Sequence, residues 1–243
     1  MPLTKFNIKY LFIRNIFCIF ARRYKYVCVM SKESDKYDFI IEDGSKVFMT
    51  SDTHFFHKNI MTSCNRPFKD ENEMNEVLIN NWNSVIDDES VVFHLGDFAW
   101  GGYNKWKTII DKLNGHIVLI KGNHDDKNLS KTAEKEFFDY VTYQLKVRIE
   151  NRVVYLNHYP FLCYAGVYRE PKDQVWALHG HIHLGPNSLG GLDVPRMEHL
   201  FPTQYDVGVD MNNYTPVSWN DIKEKIHYQI ENNINCLQVL GKP

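Results

Sequence analysis

The chain is short of cysteine, of uninterrupted apolar runs and, past its first 29 residues, of clustered positive charge. Each shortage excludes a class of protein. Five cysteines (Cys18, Cys28, Cys64, Cys163, Cys236) are scattered through 243 residues. Their number is odd and no C-x-x-C occurs, which argues against a disulfide framework and against a structural zinc site. Such usage suits a reducing compartment, so the body of the protein is expected in the cytoplasm. The apolar run from Tyr10 to Ala21 is split by Arg14 and falls short of the roughly 20 apolar residues a spanning helix needs. No transmembrane segment is therefore expected, and the run lacks the small-x-small site of a signal peptide. No repeat or low-complexity tract appears. With 44% hydrophobic and 24% charged residues, the composition excludes disorder, collagen-like repeats and a disulfide-dense miniprotein.

The formal net charge of −2 hides an uneven distribution. Residues 1–29 carry six basic side chains (Lys5, Lys9, Arg14, Arg22, Arg23, Lys25) and no acid, which leaves 22 basic against 30 acidic in 30–243, a net of −8. Met30 opens a polar stretch, Met30-Ser-Lys-Glu-Ser-Asp-Lys, that reads as an ordinary N-terminus. Residues 1–29 are read as an upstream extension, with a membrane-surface or targeting segment as the alternative, and 30–243 as one catalytic domain.

From Lys46 onward, short apolar runs alternate with amphipathic segments. The pattern predicts strands over Lys46–Ser51, Ser90–Leu95, His116–Lys121, Val141–Glu150, Arg152–Asn157, Val175–His179 and Tyr205–Met211. It predicts helices over Asn72–Ile86, Tyr103–Leu113, Leu129–Phe138 and Ser218–Asn232. Ser218 with Asp221 resembles a capping box, and Gly115 is expected to close the second helix in a left-handed cap. A hairpin is expected around Glu150-Asn151, and a long loop over Gly185–Pro202. The order βαβαβ followed by consecutive strands predicts an α/β protein with mixed sheets and helices outside.

Five short motifs each directly follow an apolar run: Asp52-Thr-His54, Gly96-Asp97, Gly122-Asn123-His124-Asp125, Asn157-His158 and Gly180-His181-Ile-His183. Carboxyl ends of strands in open α/β sheets line one rim, where ligands bind. Polar clusters on five such ends are expected to meet. Asp, Asn and His without Cys make an oxygen/nitrogen donor set, suited to Mn²⁺, Fe or Zn²⁺. In Asp52-x-His54 and His181-x-His183, strand alternation would turn both side chains to one side. Seven side chains, with one carboxylate shared, give four contacts to each of two ions. Two divalent ions carry +4 against −2 from Asp52 and Asp97, so the site should attract phosphate and acidify a bound water.

The ordered set D-x-H, GD, GNHD, H, GHxH resembles the calcineurin-like metallophosphoesterases over residues 46 to about 211. The stretches DTHFFHKNI, NRPF, EMNEVLINNWN and DVGVDMNNYTPVSW look like the small single-domain phosphohydrolases of bacteria and phages in that superfamily. The resemblance implies a four-layer α/β/β/α sandwich of two mixed sheets flanked by helices, holding a dinuclear metal centre. It implies that Asp52, His54 and His183 hold one ion, that Asn123, His158 and His181 hold the other, and that Asp97 bridges. It further implies His124 as proton donor to the leaving oxygen, oriented by Asp125, with a metal-bridging hydroxide as nucleophile. Phe56 stands where relatives often have Gly, and would narrow the mouth.

The expected activity is a metal-dependent phosphoesterase acting on a small mono- or diester. Two alternatives are a nuclease and a non-catalytic scaffold. A nuclease should offer a basic or aromatic groove, and the acidic body leans against it; a scaffold would have lost a ligand or the acid, and none is missing. Arg66, in Asn65-Arg-Pro-Phe, is the best cation for gripping substrate phosphate; its alternative is a surface pair with an acid at 70–73. His94 reads as a hydrogen-bonded core histidine, His179 as either ligand support or packing, and His57 as a loop residue rather than a pocket wall. His116, His199 and His227 read as surface; Trp82, Trp106 and Trp219 read as core. Tyr164, Tyr168 and Arg169 are candidates for shaping specificity or ordinary loop residues. Cys64 and Cys163 match no ligand position and are read as inert.

Overall fold

Every apolar run that precedes a motif becomes a strand. A computed structural model describes residues 36–188 and 194–240. The basic extension 1–29, with Cys18 and Cys28, and the stretch after Met30 as far as residue 35 lie outside the described residues. So does part of the expected 185–202 loop. The chain runs β1 (Phe39–Ile41), β2 (Val47–Thr50), α1 (Lys58–Ser63), α2 (Glu71–Val85), β3 (Val91–His94), α3 (Gly102–Ile110) and β4 (His116–Ile120). It continues α4 (Asp125–Asn128), α5 (Lys131–Phe137), β5 (Tyr140–Thr142), β6 (Gln144–Ile149), β7 (Arg152–Asn157) and β8 (Trp176–His179). The last elements are α6 (Val194–Met197), β9 (Gln204–Asp206), β10 (Val217–Ser218), α7 (Trp219–Asn232) and α8 (Cys236–Val239).

Two five-stranded sheets result, ordered β10-β2-β3-β4-β5 and β1-β6-β7-β8-β9. Both are mixed. β10 pairs antiparallel with β2 and β6 antiparallel with β7, while the other pairings are parallel. Alternation along β3 and β4 explains the layering. Phe93 and Val118 join the cluster containing Val147, Leu156 and Leu178 of the other sheet, while Val92 and Leu119 join Leu78, Trp82 and Trp106 of α2 and α3. Trp219, Ile222 and Ile226 of α7 close the other side, with Trp219 5.7 Å from Trp176. The expected mixed α/β/β/α sandwich is thus observed. No helix among the described residues is long and apolar enough to cross a membrane.

Local chemistry sets the boundaries. α2 starts where the Asp70 carboxylate accepts from the N–H groups of Asn72 and Glu73, both at 3.0 Å, a cap worth about 1 kcal/mol. The expected Leu129–Phe138 helix is observed as Lys131–Phe137, starting late because Leu129 ends α4 and Ser130 caps α5, its hydroxyl accepting from Ala133. The single strand expected over Val141–Glu150 is two strands in different sheets, with the chain crossing at the exposed Tyr143. The Tyr205–Met211 strand stops at Asp206, whose carboxylate accepts from the Gly208 N–H and turns the chain. Ser218 caps α7, but Asp221 accepts from its hydroxyl, so the reciprocal bond of a capping box is replaced. Gly115 has φ +87°, yet it lies beyond the end of α3 and turns the chain into β4. The short β1, β10 and α1 had no visible signal, and the described end of the 185–202 loop contains α6.

Leu156 is fully buried between the sheets. Leu156→Ala is expected to lower stability by about 2–5 kcal/mol in equilibrium urea unfolding; a loss below about 1 kcal/mol would place the inter-sheet core elsewhere.

Candidate metal centre

Five strand ends meet, but on two sheets rather than one rim. Asp52, Asp97 and Asn123 follow β2, β3 and β4; His158, His181 and His183 follow β7 and β8. The junction is stitched by backbone bonds. Asp52 N–H donates to Gly96 O at 2.9 Å, Gly180 N–H to His158 O at 3.0 Å and Val209 N–H to Ser51 O at 3.1 Å. Gly180 is required by this approach, because a Cβ there would stand 2.0 Å from Ser51 Oγ and 2.3 Å from Asp52 Oδ2.

The side chains do not converge by strand alternation. Asp52, His54, Asp97, His181 and His183 all have positive φ, between 49° and 75°. In each D-x-H or H-x-H pair the backbone bends through left-handed residues, and the bend turns both rings inward. Phe56 is also left-handed, at φ +60°, a conformation that glycine adopts at no steric cost. An L residue in this region costs of the order of 1 kcal/mol.

The atoms brought together are mostly acceptors. Asp97 Oδ2 lies 3.5 Å from His54 Nε2 and 3.5 Å from His158 Nε2. His158 turns Nδ1 to Leu95 O at 2.8 Å, so its Nε2 presents a lone pair, 3.0 Å from Asn123 Oδ1 and 3.2 Å from His181 Nδ1. Asp52 Oδ2 accepts from Ser51 Oγ at 2.5 Å and from His181 N–H at 2.9 Å. Its Oδ1 is buried without a hydrogen-bond partner, and so is His54 Nε2. Burial, with the Asp52 and Asp125 carboxylates beside it, pushes Asp97 up to about 8. Buried lone pairs facing one another without donors are the arrangement a cation resolves. Asp52, His54 and His183 form one group able to hold an ion, and Asp97, His158 and His181 form another. The residues of each group therefore fit a divalent ion.

A family model described as calcineurin-like phosphoesterase matches residues 45–229. The chain belongs to this family. An uncharacterized protein of Methanocaldococcus jannaschii is 34% identical over 181 residues, covering 71% of this chain and 86% of that protein. The gene 66 protein of Mycobacterium phage L5 is 28% identical over 192 residues, 68% of this chain and 87% of its own length. The crystal structure of a protein of unknown function from Aquifex aeolicus superposes with a TM-score of 0.54 at 26% identity, over 73% of this chain and 97% of that one.

Two expected roles take a different form in this calcineurin-like chain. Arg66 is buried and does not face the mouth. Its Nε and Nη2 donate to the Asp210 carboxylate at 2.9 and 2.8 Å, and its Nη groups reach the carbonyls of Asp52 and Thr53 at 2.7 and 3.1 Å and the Met74 sulfur at 3.5 Å. All five N–H donors are committed, so none remains for phosphate. Asp210 in turn accepts from His183 Nδ1 at 2.8 Å while His183 Nε2 faces Asp52 Oδ1 at 3.8 Å. One guanidinium thus ties the D-x-H bend to His183. Asp125 is also turned away from the ring it was expected to orient. Its carboxylate accepts from the N–H groups of Asp97, Phe98 and Gly122 at 2.8–2.9 Å, so it fixes the backbone that carries His124. The His124 ring sits at the mouth, Nε2 3.9 Å from Asp97 Oδ2.

Other residues sort simply. His57 belongs to the site, Nδ1 3.1 Å from His54 Nδ1. His94 is a core residue bonded to Thr53 Oγ1 at 3.0 Å and Gly96 N at 3.2 Å. His179 is buried, with Nδ1 beside Gly180 O. Cys64 is buried and close to His183 and Asp210, whereas Cys163 is exposed. Tyr164 bonds Thr203 and Tyr168 is exposed. Sequence reasoning assigned Asp210 no role, although it stands in the quoted DVGVD stretch; its signal was an acid two residues beyond an apolar-glycine turn.

Asp210→Ala would leave the Arg66 guanidinium buried without its carboxylate. A loss of about 3–5 kcal/mol is expected, read by urea unfolding of the metal-free protein, where an unchanged midpoint would refute the clamp.

Proposed function

We propose that this chain is a metal-dependent phosphoesterase that hydrolyses a small phosphate mono- or diester, with the activity carried by residues 30–243. One observation carries the reading. Asp97 Oδ2 lies 3.5 Å from both His54 Nε2 and His158 Nε2, and the partnerless Asp52 Oδ1 lies 3.8 Å from His183 Nε2, as expected of a carboxylate shared by two cations. Asp52, His54 and His183 would hold one ion and Asn123, His158 and His181 the other, with Asp97 common to both. Manganese, iron or zinc suits this oxygen/nitrogen set. When bound, the ions supply positive charge for the phosphate and an acidified water for attack.

The chain's own residues supply the rest. His54 presents Nε2 inward when its Nδ1–H donates to His57, and Asp210 fixes His183 in the same way. His124 stands at the mouth, half-buried, where it would protonate the leaving oxygen; Asp125 steadies its backbone. The substrate is small. Arg66 is committed to Asp210, and Lys121 to Asp126 and Glu134, so these cations offer no track for a nucleic-acid strand. The cytoplasm is the compartment that free Cys64, Cys163 and Cys236 favour.

Chelator treatment is expected to abolish hydrolysis of a p-nitrophenyl phosphate ester, and Mn²⁺ to restore it; full activity after exhaustive chelation would sink the metal mechanism. His124→Ala is expected to slow an alkyl ester about 10²–10⁴-fold and an activated aryl ester much less, because a good leaving group needs no proton. Equal losses on both would remove His124 from the acid role.

A further inference from the structure

The mouth of the centre carries an aromatic surface that the phosphate chemistry does not use. Trp100 is 38% exposed, a costly placement for an indole beside a polar site. It is held there deliberately by the fold. Trp100 N–H donates to Phe55 O at 2.8 Å, next to the Phe55–Ala99 bridge. One ring face is stacked on His57, with centroids 4.5 Å apart and planes 13° from parallel. The same indole lies 5.5 Å from the His124 ring, so it borders the side from which the leaving group would depart. On the other side of the centre, Tyr159 is 45% exposed and packs 4.7 Å from His181.

Lys127 is close enough to act on the His124 ring, whereas two other cations are occupied elsewhere. Arg66 and Lys121 are engaged by acids, as described above, and the body of the chain is acidic. What Trp100 offers the organic part of the ester is a flat, polarisable ring. A planar ring stacks well on such a surface, whereas a polyol or a second phosphate gains little from it.

Resting on the phosphoesterase reading, we propose that Trp100 is a specificity platform, and that the ester cleaved here carries a planar aromatic group, an aryl ring or a nucleobase, stacked on the indole beside His124. The pairing is a substrate-binding contact; the indole takes no part in proton transfer.

The test measures inhibition constants against hydrolysis of a p-nitrophenyl phosphate ester by the full chain in Mn²⁺. Three inhibitors are compared: adenosine 5′-monophosphate, phenyl phosphate and glycerol 2-phosphate. Both aromatic compounds, or one of them, should bind at least about tenfold more tightly than glycerol 2-phosphate, about 1.4 kcal/mol. Preference for the nucleotide would identify a nucleoside ester, and preference for phenyl phosphate an aryl ester. Trp100→Leu should erase the advantage and Trp100→Phe should keep most of it. A flat series in the parent protein overturns the proposal, and so does a Trp100→Leu variant that weakens all three inhibitors alike, since that is the signature of mere support for His57. Metal-dependent hydrolysis of the reporter with either of those results leaves the phosphoesterase reading standing. No metal-dependent hydrolysis at all overturns both.

Discussion

At the junction of the two sheets, lone pairs from Asp52, His54, Asp97 and His158 are buried facing one another, and the rest of the structure depends on making that crowd tolerable. Removing a carboxylate from water costs several kcal/mol even after relaxation. The fold answers by surrounding each acceptor with donors on its outer side. Ser51 and the His181 N–H serve Asp52, and the His124 N–H serves Asp97 at 2.9 Å. Three backbone N–H groups serve Asp125. What is left inward-facing is a set of lone pairs that a cation would satisfy, and a bound cation would add to the stability of the fold.

The same demand explains the strained backbone. Lone pairs from both sheets reach one volume only if the chain turns sharply just after each strand, and left-handed residues make the sharpest such turns. Five of the seven expected ligands adopt that conformation. Strain of this kind persists where the surroundings over-determine it, and here the surroundings are the Arg66–Asp210 pair and the Asp125 loop clamp. Arg66 and Asp125 occupy sequence positions that look like substrate or catalytic groups, yet they act on backbone geometry.

Much was legible beforehand. The strands before each motif were visible because they are apolar runs of four to six residues ended by Gly, Asp or His, and α2 and α7 because their apolar residues recur at helical spacing. The donor set was visible because its residue types follow those strands in order. What escaped had a common cause. Val141–Ile149 is an unbroken apolar alternation, and nothing local marks Tyr143 as the point where the chain leaves one sheet for the other. β1 and β10 are too short for a period. Arg66 looked like a free cation because its partner, Asp210, lies 144 positions away. Asp125 looked like an imidazole partner because it follows His124, although its carboxylate points to a different loop.

The sequence by itself determined the kind of chemistry: an oxygen and nitrogen donor set at the ends of five apolar runs, without thiolates, is a statement about residue types and needs no coordinates. Only the tertiary structure decided which groups face the junction of the two sheets and which hold others in place. That choice rests on through-space distances between residues far apart in the chain, on left-handed turns no propensity announces, and on burial, which made a structural clamp of Arg66 and left Trp100 exposed beside His124.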